Sequence, residues 1–489
     1  MIRVKKYRVY KLFQNLYNYY CYLLRYISFH MNRNINDLAK YCFIFLGTTS
    51  LTIFIYNIFQ FYSFQAPDGD AHNAYIYHLS VYLPDSLKLP TMTDTYEYFS
   101  PPIAYLFPAM SIVVCRNLFV SSDYKTDCLE FYDNFGQLFL LILFIFYIVT
   151  LFYISKRLFK DYLKFFVPLF ILTLSLSVNY QMFSSFRGES YILIFSSLVF
   201  LLLLKISQNS DVSKLDYIYL GVLIGLMLLS RQWSVFFLPT IFFFWVINQT
   251  SSKNKRKMFY MLFISGLIGL IIASPFYMSL QEKEDSIVAW NGDSFEIDFT
   301  KYPSSFYTNL GFSEGFFTNP TISNSEYDKY IHGESIFPTY LSTIWGDPNG
   351  YFSYTHLRYA ERNISFEKYL GFVNVLGVSV FTLSIFGVFK FLRKNNMNKP
   401  KEIQKLFFRL IIFNFISTFI FYIVWMYLYL PSINSNYMLQ ITNLLPFFGA
   451  YFIYKINNAK NYNYAIFILL MVYILLIPTF IYGSSYLIN

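Results

Sequence analysis

Residues 41–62, YCFIFLGTTSLTIFIYNIFQFY, form an apolar run long enough to cross a bilayer as one helix, and residues 67–83, PDGDAHNAYIYHLSVYL, follow almost at once. This places Asp68, Asp70 and His72 where a membrane helix releases the chain into the interface. A carboxylate is costly at membrane depth unless it is solvated or paired, so acids beside an apolar slab are functional candidates by default. The stretch continues to EYFSPPIAY at residues 97–105. These acids are expected at the mouth of a cavity, with the rest of the chain as the membrane scaffold around it.

The composition supports the membrane reading. The chain has 489 residues, 56% hydrophobic and only 13% charged, against about 25% charged in soluble domains. The aromatic content of 22% is what the codons of an AT-rich genome would favour, and no function is drawn from it. A net charge of +10 raises the question of nucleic acid, but its distribution answers it. The inside segments hold about 27 basic and 5 acidic residues and the outside segments about 11 and 23, as the positive-inside rule requires. The charge reports topology, and no nucleic-acid partner is expected.

Reading outward from the first span gives an all-α polytopic bundle of about eleven transmembrane helices, at roughly 41–62, 135–154, 165–179, 191–204, 217–230, 233–247, 258–278, 371–389, 406–430, 437–454 and 463–482. Four modules follow: a basic cytosolic segment 1–40, an N-terminal catalytic module 41–278 with an outside loop 63–134, an outside cap 279–370 containing Trp290 and Trp345, and the C-terminal helices 371–489. The N-terminal MIRVKKYRVYKLF reads as an interfacial segment before a retained first helix and not as a signal peptide. Residues 101–120 are apolar, but counting them as a span would put the basic loop SKRLFK outside, so an interfacial helix is expected there. No period of 20–50 residues repeats. Of the four cysteines, Cys115 and Cys128 both fall outside and can form a disulfide if their separation allows.

Several motifs, in this order, resemble the polyprenyl-phosphate-sugar-dependent membrane glycosyltransferases of the GT-C fold. They are PDGDAH after the first span, FSPPIAYLFPA, FRGES entering the fourth span, SRQWS in a helical hairpin, FPTYLSTIWGDPNGYFS, and SNYMLQITNLLP near the end. The order is also similar to that in dolichyl-phosphate-glucose glucosyltransferases. The resemblance implies a polyprenyl-phosphate-sugar donor, inversion at the anomeric carbon, a lipid or glycan acceptor, and an acid of the first outside loop as general base. That acid is Asp70 or Asp68. Lying two apart, they point to different sides of a helix, so one is the base; Asp70 is favoured because it opens the run that a helix continues. The other reading is that one of them caps that helix.

Further candidates follow from the same chemistry. Arg187 and Arg231 suit a lipid phosphate, the arginine fork being a planar array of donors. Against this, Arg187 can simply pair with Glu189, and Arg231 can snorkel at the interface. His72, Glu189 and Gln232 complete the substrate-binding set, and Trp345 and Asp347, beside Tyr351, can meet a sugar or merely build the turn around Gly346–Gly350. The five histidines show no metal-binding spacing, so no metal is expected, and no cofactor. No phosphate loop, nucleophile elbow or dinucleotide fingerprint is present. A polysaccharide polymerase or ligase, which relies more on outside arginines, and a transporter, which places charges in mid-span, are the rival readings. A multi-pass protein of the bacterial plasma membrane is favoured over one of the endoplasmic reticulum.

Overall fold

The computed structural model describes residues 35–66, 68–83, 85–118, 124–208, 213–248, 252–288, 303–318, 320, 335–347, 350, 352–353, 364–393, 402–428 and 435–486. The N-terminal segment 1–34, Trp290, His332, Tyr351, His356 and much of the expected cap lie outside these residues.

Among the described residues every regular element is helical. Seven helices are long and apolar enough to cross a membrane: Leu38–Gln60, Phe131–Leu158, Gly188–Gln208, Lys255–Glu284, Ile364–Leu392, Glu402–Trp425 and Ala459–Phe480. The other four expected spans are also helical, but short or interrupted. Residues Lys214–Leu228 make a 15-residue helix, and the next segment begins as a 3-10 turn, Gln232–Phe237, before the helix Leu238–Ile247. The third expected span breaks into Tyr162–Leu174 and Ser177–Met182. The tenth breaks into Leu439–Thr442 and Leu445–Tyr454, with Pro446 restarting the helix where its missing N–H costs nothing.

The two breaks meet inside the bundle, which is why they are tolerated. Asn179 donates to the Thr173 carbonyl and to Asn443 Oδ1, both at 3.0 Å, while Asn443 donates to Asn179 Oδ1 at 2.9 Å and to the Leu439 carbonyl at 3.0 Å. Tyr147 adds a 3.2 Å bond to Asn443 Oδ1. Broken backbone at membrane depth survives where other protein groups satisfy it, and the amide pair does so here.

Elsewhere the helices are held by close approach, since lipid provides no hydrophobic drive between them. Gly221 and Gly225 lie one turn apart on Lys214–Leu228, and a methyl group at either would stand 2.7 Å from Ile268 or Ile272 of the facing helix Ser252–Glu284. The first and last spans are joined by Asn57, whose amide donates to the Phe480 carbonyl at 2.8 Å and whose Oδ1 accepts from Tyr482 N at 2.9 Å.

Contacts at the bundle ends agree with the alternation read from charge. Residues expected inside meet one another: Arg157 donates to Gln208, Lys164 to the Ile456 carbonyl and Gln404 to the Leu158 carbonyl. At the opposite end the chain leaves the first span through a 3-10 turn, Ser63–Gln65, whose Ser63 N–H is taken by buried Asp133 at 3.2 Å. Helix Gly69–Tyr82 follows. Helix Ile103–Leu118 packs beside it, 16 residues long and so short of a full span. A disulfide between Cys115 and Cys128, with Cα atoms 5.8 Å apart, ties that helix to the long helix Tyr124–Leu158.

Candidate active site

Four separate stretches converge at this outer end, and glycine is what lets two of them touch. Gly188, the first residue of Gly188–Gln208, lies against the Ser230 backbone so closely that any Cβ would collide with the Ser230 carbonyl. Its neighbours Arg187 and Glu189 are therefore brought beside Arg231. Gly69 similarly has the Phe64 backbone 2.5 Å from where a Cβ would stand, which folds the PDGDAH stretch back over the first span's end.

The centre is a buried charge network. Glu189, fully buried, bridges both arginines: Oε1 lies 3.4 Å from Arg187 Nη2 and Oε2 lies 3.2 Å from Arg231 Nε. Arg231 Nη1 also donates to Glu97 Oε2 at 3.2 Å and to the Ser100 hydroxyl, which itself donates to Glu97. Arg231 Nη2 is buried and has no hydrogen-bond partner among the described residues. Aromatic faces complete the walls. The Arg187 guanidinium lies 5.4 Å from the Tyr437 ring and that of Arg231 5.1 Å from the Trp233 ring, in cation–π range. Gln232 donates to the Phe99 carbonyl at 2.7 Å, pinning the turn that carries Arg231 to the segment that carries Glu97.

Asp68 forms the rim. Its side chain is 34% exposed, with Oδ2 3.9 Å from Arg187 Nη1. Desolvation pushes its carboxyl up to about 6, the nearby Arg187 opposing the shift and Glu97 adding to it. Asp68 occupies the N-cap of Gly69–Tyr82 with φ 56°, yet its side chain makes no capping hydrogen bond. Left-handed backbone at a non-glycine residue is costly and is concentrated at functional sites. Asp70, on the first turn, is exposed and accepts a 3.1 Å bond from the Tyr96 hydroxyl. His72 points inward, bonded through Nδ1 to the Tyr105 hydroxyl at 2.8 Å and lying 3.8 Å from Glu97. Burial, followed by the two arginines, holds it neutral by lowering its pKa well below the usual value.

The network thus joins Asp68, His72, Arg187, Glu189, Arg231 and Gln232 of the residues singled out in the sequence. Trp345 and Asp347 have contacts of a different kind. Trp345 is 1% exposed and packs where Gly377 makes room for its ring, and its carbonyl accepts from Ser177. Asp347 accepts from the backbone N–H groups of Phe352 and Ser353, both at 2.7 Å, and Gly350 (φ 66°) closes the turn onto the Asp347 carbonyl. Sequence reasoning gave no role to Glu97, Ser100 or Tyr437. Glu97 lies in the quoted EYFSPPIAY and Tyr437 in SNYMLQ, but nothing in either stretch signals that it faces an arginine.

Asp68, His72 and Glu97 also offer one ligand atom each within 4.8 Å of one another, a geometry that can hold a cation. The guanidinium already bonded to Glu97 competes for that place. Beside the network lies an apolar cavity of about 510 Å³ lined by Leu228, Val235, Ala273, Tyr277 and Trp425, with Gln232 in its wall.

Comparison with known proteins gives one result. Residues 134–278 match the family model of dolichyl-phosphate-mannose-protein mannosyltransferase, a GT-C fold family. No curated protein and no solved structure matches the chain. The matched segment runs from the long second span through the FRGES and SRQWS turns to the helix lining the apolar cavity, so it carries Arg187, Glu189 and Arg231. The match makes residues 134–278, 145 of the chain's 489, similar to a GT-C family, and the all-helical polytopic bundle is consistent with a membrane glycosyltransferase of that type.

Proposed function

We propose that the protein moves a sugar from a polyprenyl-phosphate carrier to an acceptor hydroxyl on a lipid or glycan, on the face of the membrane away from the basic loops. The observation that carries this reading is the unspent donor of Arg231. A buried guanidinium N–H without a partner costs roughly 1–3 kcal/mol, and an anion arriving at that place recovers it. A departing lipid phosphate is such an anion, and its charge grows as the glycosidic bond breaks. The apolar cavity whose wall includes the next residue, Gln232, suits a hydrocarbon chain attached to that phosphate.

Asp68 serves as general base in this reading, ahead of Asp70. It borders the arginine network and remains partly open to an incoming hydroxyl. A carboxyl with a pKa near 6 is still ionised at neutral pH and is a stronger proton acceptor than an ordinary aspartate. Asp70, bonded to Tyr96, holds the acceptor side of the rim. The Cys115–Cys128 bridge fits an oxidising compartment on this side, such as the exterior of a bacterial plasma membrane.

The test is transfer of labelled sugar from polyprenyl-phosphate donors to lipid acceptors by purified wild type, Asp68→Asn and Asp70→Asn. Asp68→Asn is expected to lose about 10²–10⁴-fold in rate, the usual worth of a positioned base, and Asp70→Asn considerably less. The reverse order would move the base to Asp70. Full activity in both would remove the acid–base mechanism, and a polymerase or ligase working through its arginines would then be the better account.

A further inference from the structure

Glu97 is surplus to the charge balance of the site. Glu189 alone already reaches both guanidiniums, and Asp68 adds a third carboxylate beside Arg187. With Glu97 ionised, three acids face two arginines. Burying an additional carboxylate is expensive, and here it also repels the anionic substrate expected at the same place. Simple stabilisation does not explain its presence.

What Glu97 contributes is direction. Glu189 takes Arg231 by Nε at 3.2 Å, and Glu97 takes it by Nη1 at 3.2 Å from a different element, the segment before Pro101. Ser100 bonds to both Glu97 and Nη1 and locks the corner. The Trp233 ring lies 5.1 Å from the guanidinium carbon. Two anchors on different atoms leave a planar group no freedom to rotate. The group left over is Nη2, buried and without a partner among the described residues.

We propose that Glu97 is a positioning residue that, with Glu189 and Ser100, clamps Arg231 so that its Nη2 edge is held ready for the anionic leaving group. The proposal rests on the reading that Arg231 receives the lipid phosphate. It implies an exchange: the extra negative charge weakens ground-state binding of the donor, while the fixed donor edge meets charge that develops only as the bond breaks. Donors set in place beforehand act on the transition state without reorganisation.

The experiment is steady-state transfer with varied polyprenyl-phosphate-sugar, comparing wild type, Glu97→Gln, Glu97→Asp and Ser100→Ala, with binding of sugar-free polyprenyl monophosphate measured alongside for wild type and Arg231→Met. Glu97→Gln keeps the shape and removes the charge. Its kcat is expected to fall about 10²-fold while KM for the donor stays level or falls. Glu97→Asp should recover part of kcat, and Ser100→Ala should lose about 10-fold in kcat at unchanged KM. An unchanged kcat in Glu97→Gln, or a raised KM with kcat intact, overturns the proposal. If Glu97→Gln does not fold, Ser100→Ala decides: a kcat loss at level KM supports the clamp and a wild-type kcat overturns it. Polyprenyl monophosphate binding equally to wild type and Arg231→Met would instead overturn the phosphate reading, and the clamp with it. Weakened binding in Arg231→Met with normal kcat in Glu97→Gln would overturn the clamp alone.

Discussion

Among the polar networks buried in the described residues, two differ in one respect. The amide pair Asn179–Asn443 is neutral and saturated: both Nδ2 groups spend both hydrogens, and each Oδ1 accepts at least one bond. The outer network of Glu97, Glu189, Arg187 and Arg231 is charged, and Arg231 keeps a buried donor unspent. A fully satisfied buried network specifies structure, whereas one left open retains free energy that a ligand can collect. The contrast predicts that damage to the first will be felt in stability and damage to the second in rate.

The largest effect expected is that of Arg231→Met. It removes the phosphate donor and strips Glu97 and Glu189 of a shared partner, so transfer should fall by about 10³-fold or more. Labelled-sugar transfer per folded molecule measures it, and activity within tenfold of wild type would erase the distinction between the networks. Gly188→Ala comes next. The added methyl must push Gly188–Gln208 away from Ser230, separating Arg187 and Glu189 from Arg231, with a loss of about 10²-fold from misplacement alone. Wild-type kinetics in that variant would show that the close approach does not position the arginines.

Asn179→Ala should act on the other side of the comparison. It removes both bonds between Asn179 and the Asn443 amide at membrane depth and should lower stability by about 1–3 kcal/mol, read as a shifted thermal midpoint in detergent, with kcat of the folded fraction nearly unchanged. A kcat loss without a stability loss would mean the amide pair also serves catalysis.

The smallest effect is a matter of pH. An aspartate whose folded pKa is raised to about 6 is protonated below that value and cannot accept a proton, so the rate should decline as pH falls through about 6. Above it the base is ionised and the rate should level. Asp68→Asn should flatten this acid limb, and a limb that persists in the variant would assign it to another group.

The amino-acid sequence alone made the all-helical, multi-pass character legible, because span length and apolar content are local properties. Each of the eleven expected segments contains helix, but the breaks within the third and tenth lie inside apolar runs and leave no composition signal. The candidate residues of the outer end were visible for a similar reason, since Asp68, His72, Arg187, Glu189 and Arg231 stand out as charged or titratable groups against apolar flanks. Only the tertiary structure decided how they pair. Glu97 and Arg231 are 134 positions apart in sequence, and their contact depends on Gly188 admitting the Ser230 backbone and on Gln232 holding the Phe99 carbonyl. It also separated Asp68 from Asp70, since Asp68, left-handed at the N-cap, reaches toward Arg187, while Asp70, on the first turn of the helix, meets Tyr96 and solvent. Composition and spacing specify where charges can be afforded near a membrane; which charges meet is set by packing between distant segments, and that is long-range.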